Sequence, residues 1–529
     1  MSRTDAHYLS ISRIGALVRA LFCMVLLLPI ILLGVSAYPG WDAFLISWKV
    51  FDRIALYRLS GSLILTCWTV FFSLLLAFPV YATYLSLSLK RRRWILLLSL
   101  MPLSYPPFGA ASAWMTVISD IEQSSVGRLL FEKRGMASQF LYSQAGCGWI
   151  LALCFWPIVF LVLVLSSQPM RRHVEAAQIY LSRWSMVRYV LWPAWRESLL
   201  IASMVIGCLC MLQFETPSLM QLRSYPEEIY MRFSIPENEW KALLLCLPYV
   251  VTALVLAFAL RRAGRCIDSR VTDLPFTTLP PLLVRISQCI SCMIFFLSIV
   301  IPLTALLLYA GSMSDLLRFI VDHNGRLWRS VFYAFAGAAL IVLLGIWYTS
   351  KSSRMRSVAA PALFTALFAC PGILIAAGWL RLRGYWPGML PPGVGVASML
   401  GAYATHRMLL GYGAGVLLWR TYGERQREFD SLIPLSWMTR LWRLYIPSLV
   451  RPVVIAIILT SLLIWGDVAI TILMHPPGGD SLAIEYFNLL HYGSETRTAA
   501  IGFLMLFMPV VFVGIVFFLM GFGGYNQND

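Results

Sequence analysis

Val174 to Pro193, VEAAQIYLSRWSMVRYVLWP, breaks an otherwise apolar chain with an acidic opening, basic residues at helical intervals and a closing proline. The chain around it has 529 residues, of which 59% are hydrophobic and 13% charged, and its mean hydropathy is +0.75. A bilayer core about 30 Å thick needs about 20 apolar residues per helix, and it offers bare backbone groups no partner. Apolar runs of that order recur from end to end, so the chain reads as an all-α polytopic membrane protein. About a dozen spans are expected, near 16–38, 59–87, 94–118, 145–167, 198–217, 242–260, 286–310, 330–350, 358–380, 396–419, 448–474 and 498–522.

The net charge of +17 is explained by topology rather than by nucleic acid. Cytoplasmic loops retain Lys and Arg. With the N-terminus inside, 1–20, 88–93, 169–197, 261–285, 351–357 and 420–451 hold the larger share, anchored by Lys90-Arg91-Arg92-Arg93. Both termini are therefore expected in the cytoplasm. Val35-Ser36-Ala37 resembles a signal-peptide cleavage site, but the span near 286–310 occupies the equivalent place later in the chain, which argues for retention. The cysteines are scattered through predicted spans. Cys289-Ile-Ser-Cys292 lacks a second ligand pair, so small buried hydrophobes are the preferred reading over a metal site.

The opening segment has a second copy, EFDSLIPLSWMTRLWRLYIP, from Glu428 to Pro447. Glu175 and Glu428, Pro193 and Pro447, and Glu215 and Asp467 are separated by nearly one offset. The plan is therefore two six-helix halves: 1–261, with its loop at 174–193, and 286–529, with its loop at 428–447. A basic linker at 262–285 joins them. An even number of spans per half makes the repeat parallel. In the first loop Ile179, Trp184, Val187 and Leu191 share roughly one helical face, while Arg183 and Arg188 project elsewhere. A helix lying on the bilayer has the same look, but two copies at a matched offset favour one shared role on the cytoplasmic side.

These segments resemble the EAA loop of type I ABC importer permeases. Glu175-Ala176-Ala177 and Pro193 match, the family glycine is absent, and in the second copy Glu428 and Pro447 match, with Pro434 in the glycine place. A second resemblance lies in GDVAITILMHPPGGDSLAIEYFNLLHYGSETRTAAIG (Gly466 to Gly502) and FETPSLMQLRSYPEEIYMRF (Phe214 to Phe233), similar to the fused permeases of ferric-iron, thiamine and related importers. The resemblance implies the MetI-like fold, a bacterial inner-membrane location and an extracytoplasmic binding protein. It also implies coupling helices, with Trp184, Arg188, Trp437 and Arg440 on them, docked on two ATPase copies. Ferric iron is the first substrate expectation; thiamine, polyamine and phosphonate are the alternatives.

The nearest approach to a phosphate loop, Gly345 to Ser352, has Ser350 where the second glycine belongs and follows an apolar helix. ATP and Mg are therefore assigned to a separate ATPase, and no cofactor to this chain. Glu215 and Asp467 are the membrane acids of interest. A carboxylate facing lipid costs about 2.5–3.5 kcal/mol at the midplane, so both should face protein or water. They could guide a hard cation, or simply cap backbone or pair with an arginine. His406 and Arg407 form another intramembrane polar pair, a buried contact or a gate; no firm metal site is expected. His475 and His491 read as packing or surface residues. The outer stretches around Tyr225 and Leu482 could form short helices that cap the pore. A twelve-span secondary transporter should show more midplane charge, and a membrane enzyme should show a clustered catalytic set such as HExxH.

Overall fold

The computed structural model describes residues 3–38, 50–124, 135–167, 185, 188–189, 192–235, 239–266, 281–350, 359–385, 394–421, 436–440, 442–443, 446–492 and 495–521. Among them the regular structure is helical, with no strand. The chain runs through α1 (Arg3–Ala37), α2 (Arg53–Ser86), α3 (Leu89–Ser104), α4 (Pro107–Gln123), α5 (Met136–Leu141), α6 (Gln144–Ser167) and α7 (Trp192–Met211). Two short helices, α8 (Glu215–Leu219) and α9 (Tyr225–Phe233), precede α10 (Glu239–Leu245) and α11 (Leu247–Cys266). A similar order then recurs. It comprises α12 (Pro281–Tyr309, with a π turn at Phe296–Val300), α13 (Met313–Asp322), α14 (Asn324–Ser350), α15 (Ala359–Phe368), α16 (Gly372–Gly384) and α17 (Val394–Thr421). It closes with α18 (Trp437–Arg440), α19 (Ile446–Trp465), α20 (Thr471–Met474), α21 (Leu482–Tyr492) and α22 (Glu495–Gly521).

Four expected spans differ from what is observed. Those at 94–118 and 358–380 are broken pairs, with α3 and α4 meeting at 87° and α15 and α16 at 102°. Proline supplies the cause: it lacks an N–H and drives the preceding residue out of helical geometry. Pro106 and Pro371 occupy the N-cap positions of α4 and α16 in extended backbone, with ψ of 122° and 130°. The spans at 198–217 and 448–474 end early, at Met211 and Trp465. Glu215 and Asp467 consequently lie beyond the long helices, in short connecting segments. Eight helices among the described residues are long and apolar enough to cross a membrane, or ten when each broken pair counts as one. The expected dozen is not reached on that measure, and α7 and α17, which carry charged residues, make up the remaining long helices.

Burial separates core helices from lipid-facing ones. The most apolar stretch of α6 is 72% buried, whereas that of α1 is 17%. Leu17, Met24 and Ile31 of α1 are exposed, as suits a helix whose solvent is hydrocarbon. α6 packs along α2, and the corresponding α17 packs along α14. The second contact brings backbones together: a methyl group on Gly411 would lie 2.1 Å from the carbonyl oxygen of Ile341. Small residues permit this approach where lipid supplies no hydrophobic drive between helices.

The first helix of each series crosses to the other series. α1 rests on α16, where a Cβ on Gly378 would meet the carbonyl oxygen of Pro29 at 2.6 Å, and Phe22 makes an edge contact with Trp347. α12 rests on α2, with Thr83 and Ser291 hydroxyls 2.8 Å apart, and the Trp156 indole donates to Ser298 Oγ of the same helix at 3.3 Å. This exchange interlocks the two series.

Candidate translocation path and coupling segments

Pro193 is the second residue of α7, and Pro447 the second residue of α19. A proline fits there because the first-turn N–H groups have no intrahelical partner and its fixed φ suits a helix start. Both segments therefore feed directly into long helices. Arg188 stacks over the Tyr189 ring at 5.6 Å. Trp437 and Arg440 open and close α18. Glu175, Ala176, Ala177, Trp184, Glu428 and Pro434 lie outside the described residues.

At the far ends of α7 and α19, about 30 Å away at 1.5 Å per residue, stand the two acids. Glu215 is the first residue of α8 and is buried, accepting from the Phe214 N–H at 3.4 Å. Asp467 is buried as well. Its carboxylate accepts the Ile470 N–H at 2.9 Å and pairs with Arg407, which also donates to the Leu463 carbonyl. The side chains of Arg407 and Asp467 are 12% and 4% exposed, so the pair is largely desolvated. Glu215 lies within electrostatic reach of both partners. Among the described residues no cation lies within ion-pair distance of it.

His406 sits between two elements. Its Nε2 lies 3.1 Å from the Cys370 carbonyl, its ring stacks on Phe368, and its Nδ1 has no hydrogen-bond partner among the described residues. The 405–407 stretch thus ties the α15/α16 bend to the end of α19, helped by a Trp379 indole donating to Thr405 at 3.1 Å. Gly345, the first glycine of the rejected phosphate loop, lies inside α14 against Gly411. His475 Nδ1 is 3.1 Å from the Thr471 carbonyl and its Nε2 is 3.4 Å from Asp480, while His491 contacts the Phe487 carbonyl in its own helix.

The short segments after each acid are placed alike. α8 packs on α4 and α20 on α16; α9 packs on α2 and α21 on α14. Between the two series runs an aromatic seam. Phe487 lies 6.2 Å from Phe214 and 6.5 Å from Phe108, Tyr486 lies 5.4 Å from Phe108, and the Tyr486 hydroxyl meets Ser112. A small recess beside Asp467 is lined by Ser330, Tyr333, Tyr403, Thr471 and Ser481.

One set of residues escaped the sequence reading. Arg58-Leu59-Ser60-Gly61-Ser62 opens α2, and Arg326-Leu327-Trp328-Arg329-Ser330 opens α14. In the first, Ser62 Oγ accepts the Tyr225 N–H at 2.9 Å and Arg58 pairs with Glu228. In the second, Ser330 Oγ accepts the Leu482 N–H at 2.7 Å and Arg326 pairs with Glu485 at 3.5 Å. The shared R-L-x-x-S spacing was the available signal. It lies near the start of each helix, away from the loops used to align the repeat.

A long-helix bundle with broken spans, interlocked first helices and paired acid-bearing segments defines a multi-pass, all-helical membrane protein. Comparison with known proteins narrows the class. The chain is 23% identical over 508 residues to the thiamine transport system permease protein ThiP of Brucella abortus, covering 91% of this chain and 89% of that protein. It is 26% identical over 321 residues to the protein of the same name from Haemophilus influenzae, covering 56% of this chain and 55% of that one. No family model matches, and no solved structure matches. The resemblance to fused ABC importer permeases therefore extends over nearly the whole chain.

Proposed function

We propose that this chain is the transmembrane subunit of an ATP-driven importer for a small organic cation of the thiamine class. The observation that carries the reading is the similarity across 91% of the chain to thiamine transport permeases. The ferric-iron expectation gives way, because the relatives found are named for thiamine. In this reading the segments at 174–193 and 428–447 take up two copies of a cytoplasmic ATPase, which uses ATP and Mg, and an extracytoplasmic protein delivers the solute. The membrane is the bacterial inner membrane, with both termini cytoplasmic. The plan of two halves, 1–261 and 286–529, gives one chain both coupling segments.

The chemistry at the far end suits such a solute. Thiamine is a cation with two aromatic rings. Glu215 supplies a buried carboxylate with no cation of its own among the described residues, and Phe214 beside it belongs to the aromatic seam. Carboxylate plus ring faces attract an organic cation, and placement between the two series lets it be released as they part. Arg407 acts from behind, holding Asp467, while His406 fixes the neighbouring bend through the Cys370 carbonyl.

The test is co-purification with the ATPase encoded beside it, comparing wild type with Glu175→Arg plus Glu428→Arg. Retention by the wild type, loss by a folded double variant, and thiamine uptake by the assembled complex are expected. An ATPase that binds both equally, or a complex that accumulates ferric iron but no thiamine, overturns the reading.

A further inference from the structure

The two R-L-x-x-S clamps hold equivalent segments but are unequal in construction. In the first, the side chains of Arg58 and Glu228 are only 8% and 5% exposed. Arg232 braces the pair, donating to Glu228 at 2.6 Å and to Asp52 at 2.9 Å. Beneath it the Tyr225 hydroxyl donates to the Leu245 carbonyl at 2.6 Å, within an apolar cluster that includes Ile229, Ala242 and Tyr249. Disturbing this clamp strips partners from buried charges.

The second clamp is open. Arg326 and Glu485 are 33% and 22% exposed and are joined by a single contact at 3.5 Å. The segment it holds turns at Gly478, with φ of +72°, and Ser481 and Asp467 of that segment border the polar recess. Its helix α21 carries Tyr486 and Phe487, which close the seam onto Ser112, Phe108 and Phe214 of the first series. Both segments sit in packed clusters, the first through Tyr225 and Ile229 and the second through Leu482 and Tyr486. Only the first has its ion pair buried and braced, while the second, with its partly exposed pair, lies beside the recess and makes the closing contact.

We infer that α21, Leu482–Tyr492, is the moving gate at this end of the path, hinged on the chain that the buried Arg407–Asp467 pair holds in place, that Tyr225–Phe233 is its fixed counterpart, and that Arg326 and Glu485 are positioning residues for the moving helix. A weak, partly hydrated pair can break and reform as the path opens; a buried, braced pair cannot without large cost. This goes beyond the importer reading, since it concerns which of two equivalent segments moves.

Backbone hydrogen exchange on the full chain in nanodiscs tests it. In the wild type, amides of Leu482–Tyr492 are expected to exchange faster than those of Tyr225–Phe233. Glu485→Gln should accelerate only the former, by about two- to fivefold, the range for a partly exposed ion pair. Arg326→Glu combined with Glu485→Arg should restore the wild-type rate. With the ATPase bound and a non-hydrolysable ATP analogue present, only Leu482–Tyr492 should accelerate further. Equal rates in the two segments, faster exchange in Tyr225–Phe233, or no response to Glu485→Gln overturns the inference. The arms on the chain alone stand whether or not the ATPase binds, which separates this result from the importer reading.

Discussion

The glycines of Gly411-Tyr412-Gly413-Ala414-Gly415 make opposite demands within one helix. A Cβ on Gly411 would meet the Ile341 carbonyl oxygen at 2.1 Å, and ordinary contact begins at 3.4 Å. Gly411→Ala must therefore part α14 and α17 by about 1.3 Å, because the obstacle is backbone and cannot swing aside. Overpacking of this kind costs about 1–3 kcal/mol, with the upper end fitting a backbone obstacle; the gain in helix propensity returns about 1 kcal/mol. A net loss of about 2 kcal/mol is expected. Among the described residues, nothing beyond its own stretch of helix lies within 4 Å of a Cβ on Gly413, so Gly413→Ala should keep only the propensity gain. Unfolding of the purified chain in mixed micelles titrated with SDS measures both variants. α17 also carries Arg407, so the parted helices should weaken its hold on Asp467 and lower transport in Gly411→Ala alone. Equal destabilisation by the two variants, or a neutral Gly411→Ala, refutes the close-packed crossing.

Asp467→Ala should cost about 3–5 kcal/mol by leaving Arg407 buried and unpaired; Asp467→Asn, able to accept the Ile470 N–H, should cost less, and Arg407→Leu plus Asp467→Leu should regain part of the loss in thermal unfolding. The Ala55 N–H, aided by Arg232, holds the Asp52 carboxyl below its ordinary range. A carboxylate lowered on folding stabilises the fold above its unfolded pKa, about 3.9, and loses that contribution as pH falls through the lower folded value. Unfolding midpoints taken from pH 6 to pH 2 should therefore fall at the acid end, and Asp52→Asn should flatten that fall; an unchanged acid limb contradicts the cap.

Much of this protein is legible in one dimension. Hydropathy alone dictates a helical membrane chain, because the bilayer penalises every unpaired backbone group. The matched offsets of Glu175, Pro193 and Glu215 with Glu428, Pro447 and Asp467 show a plan used twice, and Pro193 and Pro447 mark helix starts that the structure bears out. Windowed hydropathy blurred the rest. It read through the breaks at Pro106 and Pro371, since the flanking residues remain apolar, and it carried Glu215 and Asp467 into spans that end before them.

What only the tertiary structure decided are contacts between residues far apart in the chain. Nothing in the local pattern pairs Arg407 with Asp467 or Arg58 with Glu228, or lays α1 on α16. Helical periodicity says which face a residue is on, not which helix will meet that face. The inequality of the two clamps arises in the same way. The same R-L-x-x-S spacing is buried under Tyr225 and Arg232 in one half and opens beside a recess in the other, because packing around each pair, rather than its own sequence, sets how much water reaches it.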